Sequence, residues 1–226
     1  MDVASNLADI QEKIRQACER AGRNPEEVNI IAVTKYVTIE RAKEAIDAGI
    51  RHLGENRAEG LNEKFEQLSQ TATWHFIGTL QSRKVKEIID QVAVIHSLDR
   101  LSLAKEIQKR TSKKMPCFIQ VNISEENTKH GLLKKDVLPF IEQLGNYPNI
   151  EVIGLMTMAP FVEDEAILRK TFRSLRELRD QIRSKSYAHA PCNYLSMGMS
   201  NDYQIAVEEG ATHVRIGSKL VGESNR

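Results

Sequence analysis

Short apolar runs alternate with amphipathic stretches along the 226 residues of this chain. Near the start, Leu7, Ile10, Ile14, Ala17 and Ala21 recur at helical spacing, which predicts an amphipathic helix ended by Gly22 and Pro25. The next run, Val28 to Val33, carries apolar residues at Ile30, Ile31, Ala32 and Val33 without alternation. That pattern predicts a strand covered on both faces, as in a parallel sheet. Lys35 then emerges at its carboxyl end, and Thr38 reads as the N-cap of a helix, IERAKEAIDA, that stops at Gly49.

The same grammar recurs to the end of the chain. Strands are expected near Arg51 to Leu53 and in WHFIG, VAVIHS, MPCFIQVNI, IEVIGLM, NYLSMGMS and THVRIG. Between them lie helices near Ala58 to Leu68, Ser82 to Ile89, Arg100 to Arg110 and Lys135 to Leu144, a long one presenting Leu168, Phe172, Leu175 and Ile182 on one face, and DYQIAVEE closed by Gly210. About eight strands alternating with helices in one unbroken domain, residues 1–226, predict an α/β (β/α)8 barrel, a fold typically of about 250 residues. A doubly wound open sheet is the alternative. Its nucleotide-binding variants lose ground because no G-x-G-x-x-G follows the first strand and no P-loop is present.

Composition narrows the function classes. Lys plus Arg at 32 against Asp plus Glu at 31 leaves no basic field for nucleic acid, and no long apolar span suggests a membrane. Cys18, Cys117 and Cys192 are isolated and odd in number, which suits a reducing compartment, and the acidic, amphipathic N-terminus does not read as a signal peptide. A cytoplasmic protein is expected. The six histidines form no HxxxH or HExxH pair, so no metal site is expected.

In a barrel, residues just after each strand share one mouth. Here they are Lys35, Glu55, Asn56, Gly78, Ser97, Asn122, Met156, Thr157, the run from Ser196 to Ser200 and that from Arg215 to Ser218. The last two loops, SMGMSND and RIGSK, follow the seventh and eighth expected strands, where barrels commonly bind phosphate. Backbone N–H groups at 199–201 and 217–218 can cup an anion, with Ser200 expected as a helix N-cap. A capped helix followed by a glycine turn is the plainer account of the same residues. A strand-end lysine beside a phosphate cup suits a phosphorylated aldehyde, and pyridoxal 5′-phosphate (PLP) has both handles. Partial burial and nearby cations would keep some of the lysine amine neutral. Arg215 would lie between lysine and cup.

The segments AVTKYV, HLGENRAE, WHFIGTLQ, VNISEENTKHG, GLMTMAP and LSMGMSNDYQIAVEEGATHVRIGSKLVG, spread over the whole chain, resemble the pyridoxal 5′-phosphate homeostasis protein family, the PLP-binding barrels similar to the alanine racemase N-terminal domain. The resemblance implies a fold-type III barrel, PLP on Lys35 as an internal aldimine, and no established catalysis. It assigns the phosphate to Ser200, Gly217 and Ser218, the pyridine nitrogen to Arg215, and the ring's hydroxyl side to Asn56. His75 and Met199 become neighbours of the ring, His75 reading equally as a satisfied barrel histidine, and Lys129 is a solvated loop lysine or a second amine at the entrance. One departure stands out: Arg83 occupies the place of an asparagine in HFIG-x-LQ-x-N-K, which unsettles the role of Gln81 in closing the mouth.

An arginine at the pyridine nitrogen can only donate, so it favours an unprotonated ring and a weak electron sink. The expected function is therefore a PLP carrier or buffer that passes cofactor to PLP-dependent apoenzymes. The rival readings are a fold-type III enzyme such as an amino-acid racemase, and an imine-forming aldolase acting through Lys35. Racemases of this type add a β-rich domain, whereas eight residues follow Ser218 here, which favours the carrier and a monomer.

Overall fold

The computed structural model describes residues 2–68, 71–125 and 130–222. Eight parallel strands close into a barrel: β1 (Asn29–Val33), β2 (His52–Glu55), β3 (Thr73–Phe76), β4 (Val94–Leu98), β5 (Met115–Asn122), β7 (Ile150–Met156), β8 (Tyr194–Met199) and β9 (His213–Ile216). Each pairs with the next, and β1 returns to β9 with Ala32 opposite Ile216. Closure excludes the doubly wound sheet. A two-residue strand not expected from the pattern, β6 (Leu132–Leu133), pairs parallel with the carboxyl end of β5, outside the ring.

The helices cover the barrel as the spacing requires. Helix α1 (Val3–Ala21) buries Val3, Leu7, Ile10, Ile14, Ala17 and Cys18, so its apolar stripe ends on Cys18, and Ala21 is exposed. Asp2 caps its start by accepting from the N–H groups of Ala4 and Ser5, and Gly22 ends it in the left-handed conformation. Around the ring follow α2 (Ile39–Asp47), α3 (Ala58–Leu68), α4 (Val85–Ile88), α5 (Leu101–Arg110), α6 (Val137–Leu144), α7 (Glu165–Ser184), α8 (Tyr203–Glu208) and α9 (Ser218–Val221). Thr38 caps α2 through the N–H of Arg41. The expected helix from Ser82 is a 3-10 turn, Ser82–Lys84, leading into the single turn of α4.

Each strand rises from an amino end to a carboxyl end where the connecting loops gather, and α1 packs outside the ring against α8, α9 and α2. Strand residues such as Ala32, Leu53, Ile119, Leu155 and Val214 are fully buried between barrel and helices. Burial of this kind stabilises by about 25 cal/mol per Å2 of apolar surface. No helix among the described residues is long and apolar enough to cross a membrane.

Candidate functional site at the carboxyl ends of the strands

The strand order β2-β1-β9-β8 brings the chemically capable loops into one quadrant of the mouth. Lys35 follows β1 by two residues, Asn56 follows β2 directly, Gly217 and Ser218 follow β9, and Met199 and Ser200 end β8. A side chain added at Gly217 would begin 3.5 Å from Val33 Cβ, which shows how closely the β9 loop lies against β1.

The lysine loop is anchored just before it turns outward. The Thr34 N–H donates to Gly54 O at 3.1 Å, and Thr34 Oγ1 donates to Glu55 Oε1 at 2.7 Å. The same carboxylate oxygen pairs with Lys64 Nζ from α3 at 3.0 Å, with both charged groups buried. Lys35 itself is exposed, so the expected partial burial of its amine is not found. Its Nζ lies 5.6 Å from the ring centroid of Tyr36, and Arg57 approaches that ring to 5.8 Å. Tyr36, at φ 69°, sits in the left-handed region that a bulky residue enters only when its surroundings hold it there.

The cup is built differently from its expected form. Ser200 is not an N-cap: the N-cap position of α8 is Asp202, which makes no side-chain bond to the helix and whose Oδ1 instead accepts the Met199 N–H at 2.6 Å. Ser200 Oγ instead accepts the Gly217 N–H at 3.3 Å, tying the β8 loop to the β9 loop. The physical reason is that β8 runs on through Gly198, φ 94°, to Met199, with its register against β9 shifting between Ser196 and Met199, so that Ser200 still belongs to the strand exit and α8 begins only at Tyr203. Met199 is 36% exposed and Ser218 is exposed, so both face outward at the mouth. Asn56 is half-buried, and its backbone packs so tightly on Gly78 that a Cβ there would fall 2.4 Å from Asn56 O.

Arg215 lies below this rim, buried on β9. Its Nη1 donates to Ser196 Oγ at 2.5 Å and its Nη2 to Thr157 O at 3.0 Å. Burial lowers its pKa to about 10 while Asp202 works against that shift, so the guanidinium remains a charged donor at neutral pH. His75 is elsewhere. It sits inside the barrel with Nε2 3.0 Å from His52 Nδ1 and Nδ1 2.8 Å from His96 Nε2, so both ring nitrogens are already engaged. The reading as a satisfied barrel histidine is the one this geometry supports. Burial, reinforced by His52 and His213, holds its pKa well below the usual imidazole range. Arg83 donates to Gln81 Oε1 at 2.8 Å, an exposed contact. Lys129 lies outside the described residues.

Sequence reasoning missed the partners that organise these groups: His96, His52 and His213 inside the barrel, Asp202 at the N-cap position of α8, and the Glu55–Lys64 pair. The available signal was a histidine in each of the apolar strands VIHSL and HVRI, where an inward position demands a polar partner. Among the described residues no cluster of His, Cys, Asp or Glu is arranged to hold a metal ion.

The donor set fits PLP: an exposed amine at one strand end, a serine tied to a backbone N–H across the next two, and a donor-only cation beneath. The family described as alanine racemase, N-terminal domain, matches residues 5–225. A protein of Aquifex aeolicus named pyridoxal phosphate homeostasis protein is 42% identical over 99% of each chain. The solved structure of PipY from Synechococcus elongatus PCC7942 with PLP bound is 30% identical, covers 97% of this chain and 100% of its own, and superposes with a TM-score of 0.85. Alanine racemase from Clostridium difficile shares the fold at 16% identity and a TM-score of 0.73, with 57% of its length covered. With near-full-length identity of this order to a named homeostasis protein, a whole-chain family match and a closed parallel barrel, the chain belongs to the pyridoxal phosphate homeostasis family within the alanine racemase N-terminal fold.

Proposed function

We propose that this chain is one PLP-binding barrel domain that stores and hands on the cofactor, with Lys35 as its point of covalent attachment. The observation that carries the reading is the quadrant itself: the Lys35 amine, the Ser200–Gly217 tie and Ser218 lie on neighbouring strands above the donor-only Arg215. The PLP-bound relative PipY supports it. When bound, PLP supplies an electrophilic aldehyde and a ring whose electron-withdrawing power depends on protonation of its nitrogen. Lys35 Nζ takes the aldehyde. Ser200, Gly217 and Ser218 receive the phosphate, Asn56 approaches the ring's hydroxyl side, and Met199 borders the ring. His75 is set apart from this group by its two barrel partners.

Arg215 favours the carrier, since an arginine at the pyridine nitrogen fits storage and transfer of the cofactor, or at most racemase-like chemistry. A guanidinium can donate to the pyridine nitrogen but cannot accept from it, so it holds that nitrogen unprotonated and keeps the ring a poor electron sink. A carboxylate would do the opposite. The reading is therefore a carrier and buffer acting as a monomer in the cytoplasm, with PLP-dependent apoenzymes as recipients and an amino-acid racemase as the rival that the test below separates from it.

The test incubates PLP-loaded protein with L- and D-alanine in deuterated water and follows exchange of the α-proton, beside transfer of PLP to an added apoenzyme. The expected result is no sustained exchange, with transfer faster than release into solution. Many turnovers of exchange that vanish in Lys35→Ala at matched PLP would overturn the carrier.

A further inference from the structure

A continuous hydrogen-bonded column runs down the inside of the barrel from Arg215. Arg215 Nη1 meets Ser196 Oγ, Ser196 Oγ lies 2.8 Å from His96 Nδ1, His96 Nε2 lies 2.8 Å from His75 Nδ1, and His75 Nε2 lies 3.0 Å from His52 Nδ1. His52 opens the amino end of β2 and lines a cavity of about 490 Å3 with Arg15, Glu26 and Arg51. The column thus joins the groups beneath the mouth to the opposite face of the barrel.

A guanidinium only donates, so Ser196 Oγ accepts from Arg215. With every histidine of the column neutral, the order that uses the serine proton as well sends it to His96 Nδ1. His96 then carries its proton on Nε2 and donates to His75, which does the same toward His52. Every bond points from Arg215 to the amino face. A protonated His52 would be a donor at Nδ1, and the order would have to reverse: His75 and His96 would carry Nδ1–H, and Ser196 Oγ would accept from both His96 and Arg215 while its own proton turned away. One proton is taken up overall and no other bond changes.

We infer that Ser196, His96, His75 and His52 are positioning residues for Arg215, and that the proton occupancy of His52 at the amino face alters how firmly Arg215 is held beneath the mouth. The consequence for cofactor binding rests on the proposed role of Arg215 toward PLP. Burial keeps His75 and His96 neutral near pH 7, as the column requires, and His52 is the half-buried member open to solvent. Besides Arg15, Glu26 and Arg51 around the cavity at His52, the described charged and titratable groups beside the column include His213, whose ring packs on His75 and His96 and whose Nδ1 meets Thr212 Oγ1, and Asp202, which acts on Arg215. His213 is lowered to about 3, chiefly by burial and then by His52 and Arg215, so it does not compete for the proton.

The decisive experiment uses the full chain without cofactor and follows imidazole and Arg215 side-chain nitrogens by NMR between about pH 5 and pH 8, the range in which a histidine titrates. His75 and His96 should show the Nε2–H tautomer at high pH, and the Arg215 signals should shift with the protonation of His52. In His52→Phe that shift should vanish, whereas in Ser196→Ala His52 should still titrate without reaching Arg215. Arg51→Gln, at the same face, should leave the shift in place. Nδ1–H tautomers at high pH, or Arg215 signals indifferent to His52→Phe, would overturn the column. In a second arm, the ratio of PLP dissociation constants between His52→Phe and wild type should change about fivefold across this range, the scale of one hydrogen bond. A wild type that fails to bind PLP while Arg215 follows His52 would refute the proposed function and uphold the column; PLP binding with an unresponsive Arg215 would do the reverse.

Discussion

Lys35 and Ser200 carry separable parts of the proposed binding, because one supplies an amine and the other a hydroxyl on a neighbouring loop. Borohydride treatment of PLP-loaded protein should fix a pyridoxyl phosphate mass on the Lys35 peptide; an adduct chiefly on Lys129 would move the assignment. Lys35→Ala should lose that adduct yet keep weak binding that inorganic phosphate competes away. For Ser200→Ala the expected loss is about 1 kcal/mol in PLP affinity, one charge-assisted contact with the backbone N–H groups left in place. Pyridoxal lacking the phosphate should be nearly indifferent, and equal weakening of both ligands in parallel titrations would show that Ser200 serves only to tie Gly217. The place of Lys35 at the carboxyl end of β1 was legible in the sequence because the apolar run stops just before it, although a solvated lysine opening a loop is the plainer account of that segment alone. The contact that Ser200 makes was not, since its partner Gly217 lies on another strand.

At the scale of elements, the loops work because strands end where neighbours leave room. Gly198 is the clearest case: at φ 94°, a Cβ would meet Ala206 Cβ at 2.6 Å and Tyr203 Cα at 3.0 Å. Gly198→Ala should therefore destabilise the protein by about 3 kcal/mol in urea unfolding, combining left-handed strain with overpacking against α8. The Glu55–Lys64 pair shows the same dependence on neighbours. Removing the ammonium by Lys64→Met leaves a buried carboxylate whose remaining described partner is the Thr34 hydroxyl, at an expected cost of about 3–5 kcal/mol in chemical denaturation. The joint substitution Lys64→Met with Glu55→Gln should recover much of it. Strand and helix order were readable from apolar spacing, whereas β6 was not, because two residues carry no period and depend on the carboxyl edge of β5.

For the whole molecule, the interior histidines make stability depend on pH. Burial depresses His52, His75, His96 and His213, the last to about 3, below the value of about 6.5 that each takes in an unfolded chain. Depressed values mean that the unfolded state binds the extra protons, so this stability is complete above about pH 6.5 and is lost as pH falls toward the folded values. Each such histidine contributes a slope of up to about 1.4 kcal/mol per pH unit. Asp202, raised by burial, works in the opposite sense at lower pH. Urea unfolding between pH 7 and about pH 5 should show the decline, and His213→Phe should make it shallower by one proton; an unchanged slope would place His213 outside this linkage. The sequence alone determined the alternation of strands and helices, the lysine after β1 and the glycine-containing loops after the last two barrel strands, because local spacing, caps and turn residues act within a few positions of the chain. Barrel closure, the displacement of the α8 cap to Asp202, and the histidine column under Arg215 were decided by the tertiary structure. They depend on strand register and on burial, which bring Ser196, His96 and His52 together from distant parts of the sequence and deprive their polar atoms of water.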